Sequence, residues 1–322
     1  MSAVVMHLLV YLPLFFPLPA ALAARPLADR LEPRLATWLL TASALALAGL
    51  SCAALGVVAA AGVVRLPLAA WAGNWSAATV RAGDPVSVIE ALAASVVLAA
   101  AVWAGARMLW RRMRALAAAA FEAACLPGHR QLVVVDDAPD AYALPGLPGR
   151  VVVSTGMLDA LDPADREAML AHERAHLSCH HYAFVAAAHL AAALNPLLRP
   201  VATAVAYTVE RWADERAAAA CGNRRQVARA VGKAALATAH HPARRRLPDA
   251  VLGLLGRRNP LATAGPVPRR VAALLAEPAA SSTPLSVPLL PLAGAAAVVG
   301  SSALCAFAAA HDLHLLLKLA ST

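Results

Sequence analysis

Long apolar stretches constrain this chain more than any other feature. A helix of about 20 apolar residues spans the hydrocarbon core of a bilayer. Four stretches reach that length: about Ala3 to Ala24, Leu35 to Val64, Val86 to Trp110, and Pro288 to Ala310, the last extending toward Leu319. Lipid offers backbone groups no hydrogen-bond partner, so each stretch is expected as a helix. At 60% hydrophobic residues the chain is richer in apolar side chains than an ordinary soluble domain. Pro13, Pro17 and Pro19 interrupt the first stretch, which membrane helices tolerate. Ala21-Leu22-Ala23 resembles a signal-peptide cleavage site, but no Lys or Arg precedes Arg25. A signal peptide needs that positive start, so a retained span is expected.

Positive charge sets the expected orientation. Arg25, Arg30 and Arg34 lie between the first two spans, and only Arg65 and Arg81 between the second and third. Arg107, Arg111, Arg112 and Arg114 follow the third. Cytoplasmic segments collect Lys and Arg, so the region from Arg111 to about Pro284 is expected inside and both termini outside. Five cysteines, at 52, 125, 179, 221 and 305, are odd in number and scattered, which suits a reducing face rather than a disulfide framework. The net charge of +9 reflects this loop content.

The expected cytoplasmic region holds His172-Glu173-Arg174-Ala175-His176. On a helix, residues i and i+4 share a face, so the two imidazoles can hold one zinc ion while Glu173 takes a proton from the attacking water. Asp162 reads as the N-cap of this helix, Pro163 suits its first turn, and Asp165 suits the positive end of its dipole. A zinc site needs a third ligand. Glu210 and Asp214, again i and i+4, offer a ligand and a hydrogen-bond partner for a ligand imidazole. An acidic pair on a solvated face beside Arg211 and Arg216 is the plainer alternative. His180 is four residues past His176 and extends the His172 stripe, but three successive turns reach one tetrahedral ion poorly. His180 and His181 are therefore expected as a polar helix end, and Cys179 as a small core residue.

Several segments together resemble the membrane gluzincins: the prenyl-protein (CAAX) protease, the membrane heat-shock protease and, most closely, the BlaR/MecR-type antirepressor peptidases. The segments are Pro139 to Ala143, Arg150 to Leu158, the His172 motif, Asn195-Pro196-Leu197, and Glu210 to Asp214. The resemblance implies one Zn2+ held by His172, His176 and Glu210, with Glu173 as general base and Asp214 in support. It implies that Ala141-Tyr142-Ala143 lies along the cleft and pairs with extended substrate by strand addition. That family often has Asn where this chain has Asp140. It also implies a protein or peptide substrate, a cytoplasmic transcriptional repressor, and residence in a bacterial cell membrane. The penicillin-binding domain of those sensors follows their last span. With the sequence ending at Thr322, no such domain is expected, and a signal would enter through the Arg65 to Pro85 loop, the spans or a partner.

Gln131 to Val135 and Arg150 to Ser154 are β-branched runs separated by turn residues, and a small antiparallel sheet is expected. Residues 183–208 are apolar but contain Asn195-Pro196 and Arg199, so two helices joined at Asn195-Pro196 are expected, either buried against the zinc helix or dipping into the interface. That turn would return the Glu210 helix antiparallel to the His172 helix. The runs Arg244-Arg245-Arg246, Arg257-Arg258 and Arg269-Arg270 suit attraction to anionic lipid heads. Aromatic platforms and a helix-turn-helix signal are lacking, so direct nucleic-acid binding is not expected.

The expected fold is a mainly α membrane protein of about four transmembrane helices, with a cytoplasmic α+β gluzincin-type zinc peptidase domain between the third and fourth. Residues 1–110 would hold three spans, 111–239 the peptidase domain, 240–284 a basic Pro-rich segment, and 285–322 the fourth span. The expected activity is zinc-dependent hydrolysis of protein substrates. The alternatives are a membrane quality-control protease of the heat-shock or CAAX type and a non-catalytic signalling or scaffold protein with a relict zinc site. Tyr207, Arg211, Arg216 and His180 are the candidates for stabilising the oxyanion.

Overall fold

A computed structural model describes residues 11–66, 71, 86–126, 132–135, 138–147, 149–239, 266–276 and 289–320. The start of the first expected span, most of the Arg65 to Pro85 loop, Arg244-Arg245-Arg246 and Arg257-Arg258 lie outside these residues.

Three helices among the described residues are long and apolar enough to cross a membrane. They are α2 (Pro33–Val64), α3 (Val88–Cys125) and the central part of a later helix, Leu292–Leu315. Preceding them, α1 (Pro17–Arg30) runs six residues past the expected end of span one and carries Arg25 and Pro26. Glu32 caps α2, accepting from the Arg34 and Leu35 N–H groups. Ser87 and Glu90 form a capping box at the start of α3. The 38 residues of α3 exceed what a bilayer needs, so its C-terminal half projects beyond the apolar core.

That projecting end supports a three-stranded sheet. β1 (Leu132–Val135), β2 (Ala141–Leu144) and β3 (Arg150–Ser154) lie in the order β1-β3-β2. The sheet is mixed rather than antiparallel. Leu132 pairs with Val151 in parallel, whereas Ala141 pairs with Val153 antiparallel. The segment 141–144, which the resemblance places along the cleft, is itself a strand of the sheet, so the chain reverses twice between β1 and β3 and their directions agree. Side chains alternate across β3. Val152 packs with Ala119 and Ala123 of α3, while Val151 and Val153 pack with Met157, Leu161 and Met169 on the other face.

Ser154 ends β3 and caps α4 (Thr155–Ala160), accepting from the Met157 N–H. α5 (Pro163–Ser178) follows. Asp162 caps it, Pro163 occupies the first turn, and Asp165 sits at the dipole's positive end. The chain then bends by 59° into α6 (His181–Leu194). α5 carries five charged residues other than His, namely Asp165, Arg166, Glu167, Glu173 and Arg174. By length and composition the bent pair as a whole is also apolar enough for one broken span or a re-entrant segment. A 3-10 turn (Pro196–Leu198) leads into α7 (Arg199–Cys221), as the Asn195-Pro196 break suggested. Asn195 accepts from the Leu197 N–H, and its Nδ2 donates to Ser51 Oγ of α2 at 3.0 Å. α6 and α7 share a core with α1 and α2, built on Leu40, Leu47, Val185, Leu198, Val201 and Val205.

α7 ends at Gly222, whose φ of 67° lies where only glycine is unstrained. α8 (Arg224–Ala239) returns along α5. Its Arg229 and Lys233 grip Asp165, which is fully buried, and Lys233 also reaches Asp162. α9 (Pro266–Leu275) packs on α8, and Arg224 donates to the Ala273 and Leu274 carbonyls at its end. α10 (Leu289–Ala320) is the last described helix.

Candidate metal centre

His172 and His176 lie one turn apart on α5, and their Nε2 atoms stand 3.1 Å from each other. α7 crosses this face in the opposite sense: the later His176 meets the earlier Glu210, and the earlier His172 meets the later Asp214. Glu210 Oε1 is 3.7 Å from His176 Nε2, and Oε2 is 3.8 Å from His172 Nε2. One ligand atom from each of the three residues falls within 4.8 Å of the other two. Zinc bonds of about 2.0–2.2 Å in a tetrahedron place ligand atoms roughly 3.3–3.5 Å apart. The observed separations bracket that value, and the donor set of two imidazoles and one carboxylate suits zinc, so the residues fit the metal.

Asp214 Oδ1 lies 3.0 Å from His172 Nδ1, the nitrogen turned away from the cluster. Burial raises the Asp214 carboxyl, but Arg270 outweighs it, and the carboxyl is held below its usual range. His172 is affected in the opposite way: burial opposes its protonation, yet Asp214 outweighs burial and raises it. Burial lowers His176 to about 4, so its imidazole is neutral and open to a metal. Burial pushes Glu173 up to about 7, aided by Glu210 and Asp140 and opposed by His172 and Arg270. A carboxylate raised in this way is a stronger base than a free glutamate.

Arg270 was missed by sequence reasoning and corrects the lipid reading of its pair. It is 5% exposed and donates from Nε to Asp214 Oδ2 and from Nη2 to Asp214 Oδ1, at 2.7 and 2.6 Å. Its Nη1 donates to Glu210 Oε2 at 2.7 Å. Its neighbour Arg269 pairs with Asp29 and lies 4.0 Å over the Tyr207 ring. Both side chains are engaged within the protein rather than turned to lipid heads. Only the Arg-Arg repetition before Val271 hinted at them, and nothing in that spacing distinguishes a buried ion pair from a membrane-facing one.

His180 and His181, expected together as a polar helix end, separate: only His180 is exposed. α5 ends at Ser178, and His180 adopts a left-handed φ of 52°, so it leaves the His172 stripe and is exposed. His181 is buried instead, with Nδ1 3.1 Å from His176 Nδ1. Burial, with His176 beside it, lowers His181 to about 3. Arg211 donates to the Ala28 carbonyl at the end of α1 at 2.7 Å, and Arg216 is exposed, so neither joins the ligand cluster.

Ala141-Tyr142-Ala143 forms the middle of β2, an edge strand. Just before it, Asp140 is fixed by its N–H to Ser154 Oγ and by its carbonyl, which accepts from the Ser154 N–H. β2 packs against α5, and Asp140 adds to the negative charge that raises Glu173.

A family model, Peptidase family M48, matches residues 105–190. The match takes in part of α3, the sheet, α5 and most of α6, including His172, Glu173 and His176, and stops short of Glu210, Asp214 and Arg270. It supports a membrane-associated metallopeptidase and not the narrower BlaR/MecR-type resemblance. The comparison with curated proteins gave no match, and neither did the comparison with solved structures.

Proposed function

We propose that this chain is an integral-membrane zinc endopeptidase that hydrolyses protein substrates at the cytoplasmic membrane face. The observation that carries the reading is the meeting of His172 and His176 with Glu210 across two helices, with Glu173 on the same helix as the two histidines. His172, His176 and Glu210 would hold one zinc ion, which when bound polarises the scissile carbonyl and makes water a better nucleophile. Asp214 keeps the His172 ring oriented through Nδ1. Glu173 takes the proton from the attacking water and delivers it to the departing amine.

The edge of β2 supports strand addition as the mode of substrate binding. The Asp140–Ser154 backbone bond sets the pairing phase, so Tyr142 and Leu144 direct their N–H and C=O groups toward β3. Ala143 then directs its own pair outward, where an extended peptide would add as a fourth strand. The Arg cluster at 107, 111, 112 and 114 supports the cytoplasmic placement. Regulatory cleavage of a transcriptional repressor rests on the BlaR/MecR-type motif resemblance alone, and quality control of membrane proteins is the second reading, with which the M48 match is equally consistent.

The test is Glu173→Gln in the full chain. Zinc content should remain near one ion per chain while peptide cleavage falls by at least about 10²-fold. Full cleavage by the zinc-loaded variant would overturn the mechanism. A comparison of cellular peptide termini between the wild type and this variant would identify substrates, and a set confined to one DNA-binding regulator would mark the regulatory role.

A further inference from the structure

We propose that His181 is a positioning residue for His176, holding that imidazole with its proton on Nδ1 and its Nε2 lone pair turned to the metal position. The inference rests on the zinc reading above and assigns an outer partner to the second ligand histidine.

His176 presents its two nitrogens to different neighbours. Nε2 faces His172 Nε2 at 3.1 Å and Glu210 Oε1 at 3.7 Å, and Nδ1 faces His181 Nδ1 at 3.1 Å. A hydrogen bond between two Nδ1 atoms uses one proton and has two assignments. If His181 donated, His176 in its neutral form would carry its proton on Nε2 and could not ligate a metal. If His176 donates, its Nε2 lone pair is free and His181 Nδ1 is the acceptor. Metal binding therefore selects the second assignment.

The fold prepares His181 for this role. Had α5 continued, His180 would have shared the face of His172 and His176. The left-handed turn at His180 ends α5, and the 59° bend brings His181 back against the ligand. Its ring is 1% exposed, edge-on to His176 at 4.9 Å between centroids and 4.7 Å from the Trp212 ring. Its Nε2 is buried without a hydrogen-bond partner among the described residues, so Nδ1 carries the polar contact that fixes the ring.

The two ligand histidines are thereby supported unequally. His172 leans on the Asp214 carboxylate, which Arg270 neutralises. His176 leans on an imidazole. A carboxylate at that position would place one more negative charge beside Glu173 and Glu210, and a neutral imidazole supplies the acceptor without it.

The experiment measures zinc affinity of the full chain in detergent by competition with a chromophoric chelator. His181→Phe fills the space against Trp212 without an acceptor. His181→Asn places an amide oxygen where Nδ1 stood. The Phe variant should bind zinc about 10–100-fold more weakly, as loss of an outer partner typically does, while the Asn variant should stay within roughly threefold of wild type. Thermal unfolding without metal accompanies each measurement, and if Phe fails to fold, His181→Ala against His181→Asn gives the same comparison. A non-accepting variant that binds zinc like wild type, or an Asn variant as weak as the non-accepting one, overturns the proposal. Wild-type protein that takes up no stoichiometric zinc overturns the zinc reading itself.

Discussion

Arg270 grips Asp214 at two points, Nε on Oδ2 at 2.7 Å and Nη2 on Oδ1 at 2.6 Å, with both side chains buried. The same Oδ1 faces His172, so the guanidinium, the carboxylate and the proposed ligand form one line. Arg270→Gln would leave the Asp214 charge buried and without its counter-ion. Removing one partner of a buried pair costs about 3–5 kcal/mol. The variant should lose that much stability in denaturant titrations of the solubilised protein. Arg270→Lys, with one point charge in place of a fork, should recover only part of it.

The outward N–H of Ala143 is available to substrate if strand addition is correct. Ala143→Pro removes that donor while leaving the Tyr142 and Leu144 bonds to β3 intact, a substitution that edge strands tolerate. Its KM for peptide should rise by roughly tenfold, the equivalent of one lost hydrogen bond of about 1.4 kcal/mol, with the melting temperature little changed. Unchanged KM would remove β2 from the substrate site.

The Asp162, Asp165 and Lys233 cluster ties α5 to α8 and gives stability a pH dependence. The Asp165 backbone N–H, followed by Lys233, lowers the Asp162 carboxyl from its ordinary 3.8 to about 2. A depressed carboxyl stabilises the fold above its ordinary value, and the contribution fades as pH falls through the folded value. Lys233→Met should therefore lower the melting temperature at neutral pH, and the gap to wild type should narrow from about pH 4 to pH 2. A gap that stays constant over that window would show that the ion pair contributes nothing.

Gly62 on α2 and Ala91 on α3 meet so closely that a Cβ at Gly62 would collide with Ala91 Cβ. Gly49, on the same helix, has no atom within 4 Å of such a Cβ. Gly62→Val should force the two helices apart and cost about 1–3 kcal/mol, as overpacking does, whereas Gly49→Ala should be neutral or mildly stabilising. Thermal unfolding in detergent compares them directly.

Local rules determined much of this protein from its sequence. The length and apolarity of Pro33–Val64, Val88–Cys125 and Leu292–Leu315 mark helices able to cross a membrane, because lipid leaves the backbone no other partner. Asp162 and Pro163 mark the start of α5, and the four-residue spacings put His172 with His176 and Glu210 with Asp214 on common faces. The Asn195-Pro196 break marks the turn that lets the two faces meet. Each of these features acts within about one helical turn or along a single span.

Tertiary packing decided the rest. Val133 and Val152 became parallel neighbours because β2 took the antiparallel edge of β3, which a β-branched pattern cannot specify. His181 rather than His180 came to the ligand because the helix ended at Ser178, ahead of a left-handed turn at His180 that no spacing rule predicts for a non-glycine residue. Arg270 arrived from 60 residues beyond Glu210, on a helix that looked from its sequence like part of a basic lipid-facing segment. A charge repeat is the same whether its side chains meet phosphates or buried carboxylates. Only the closing of α9 onto α7 and α8 put this arginine against Asp214, where leaving the carboxylate unpaired would cost more than ordering the arginine.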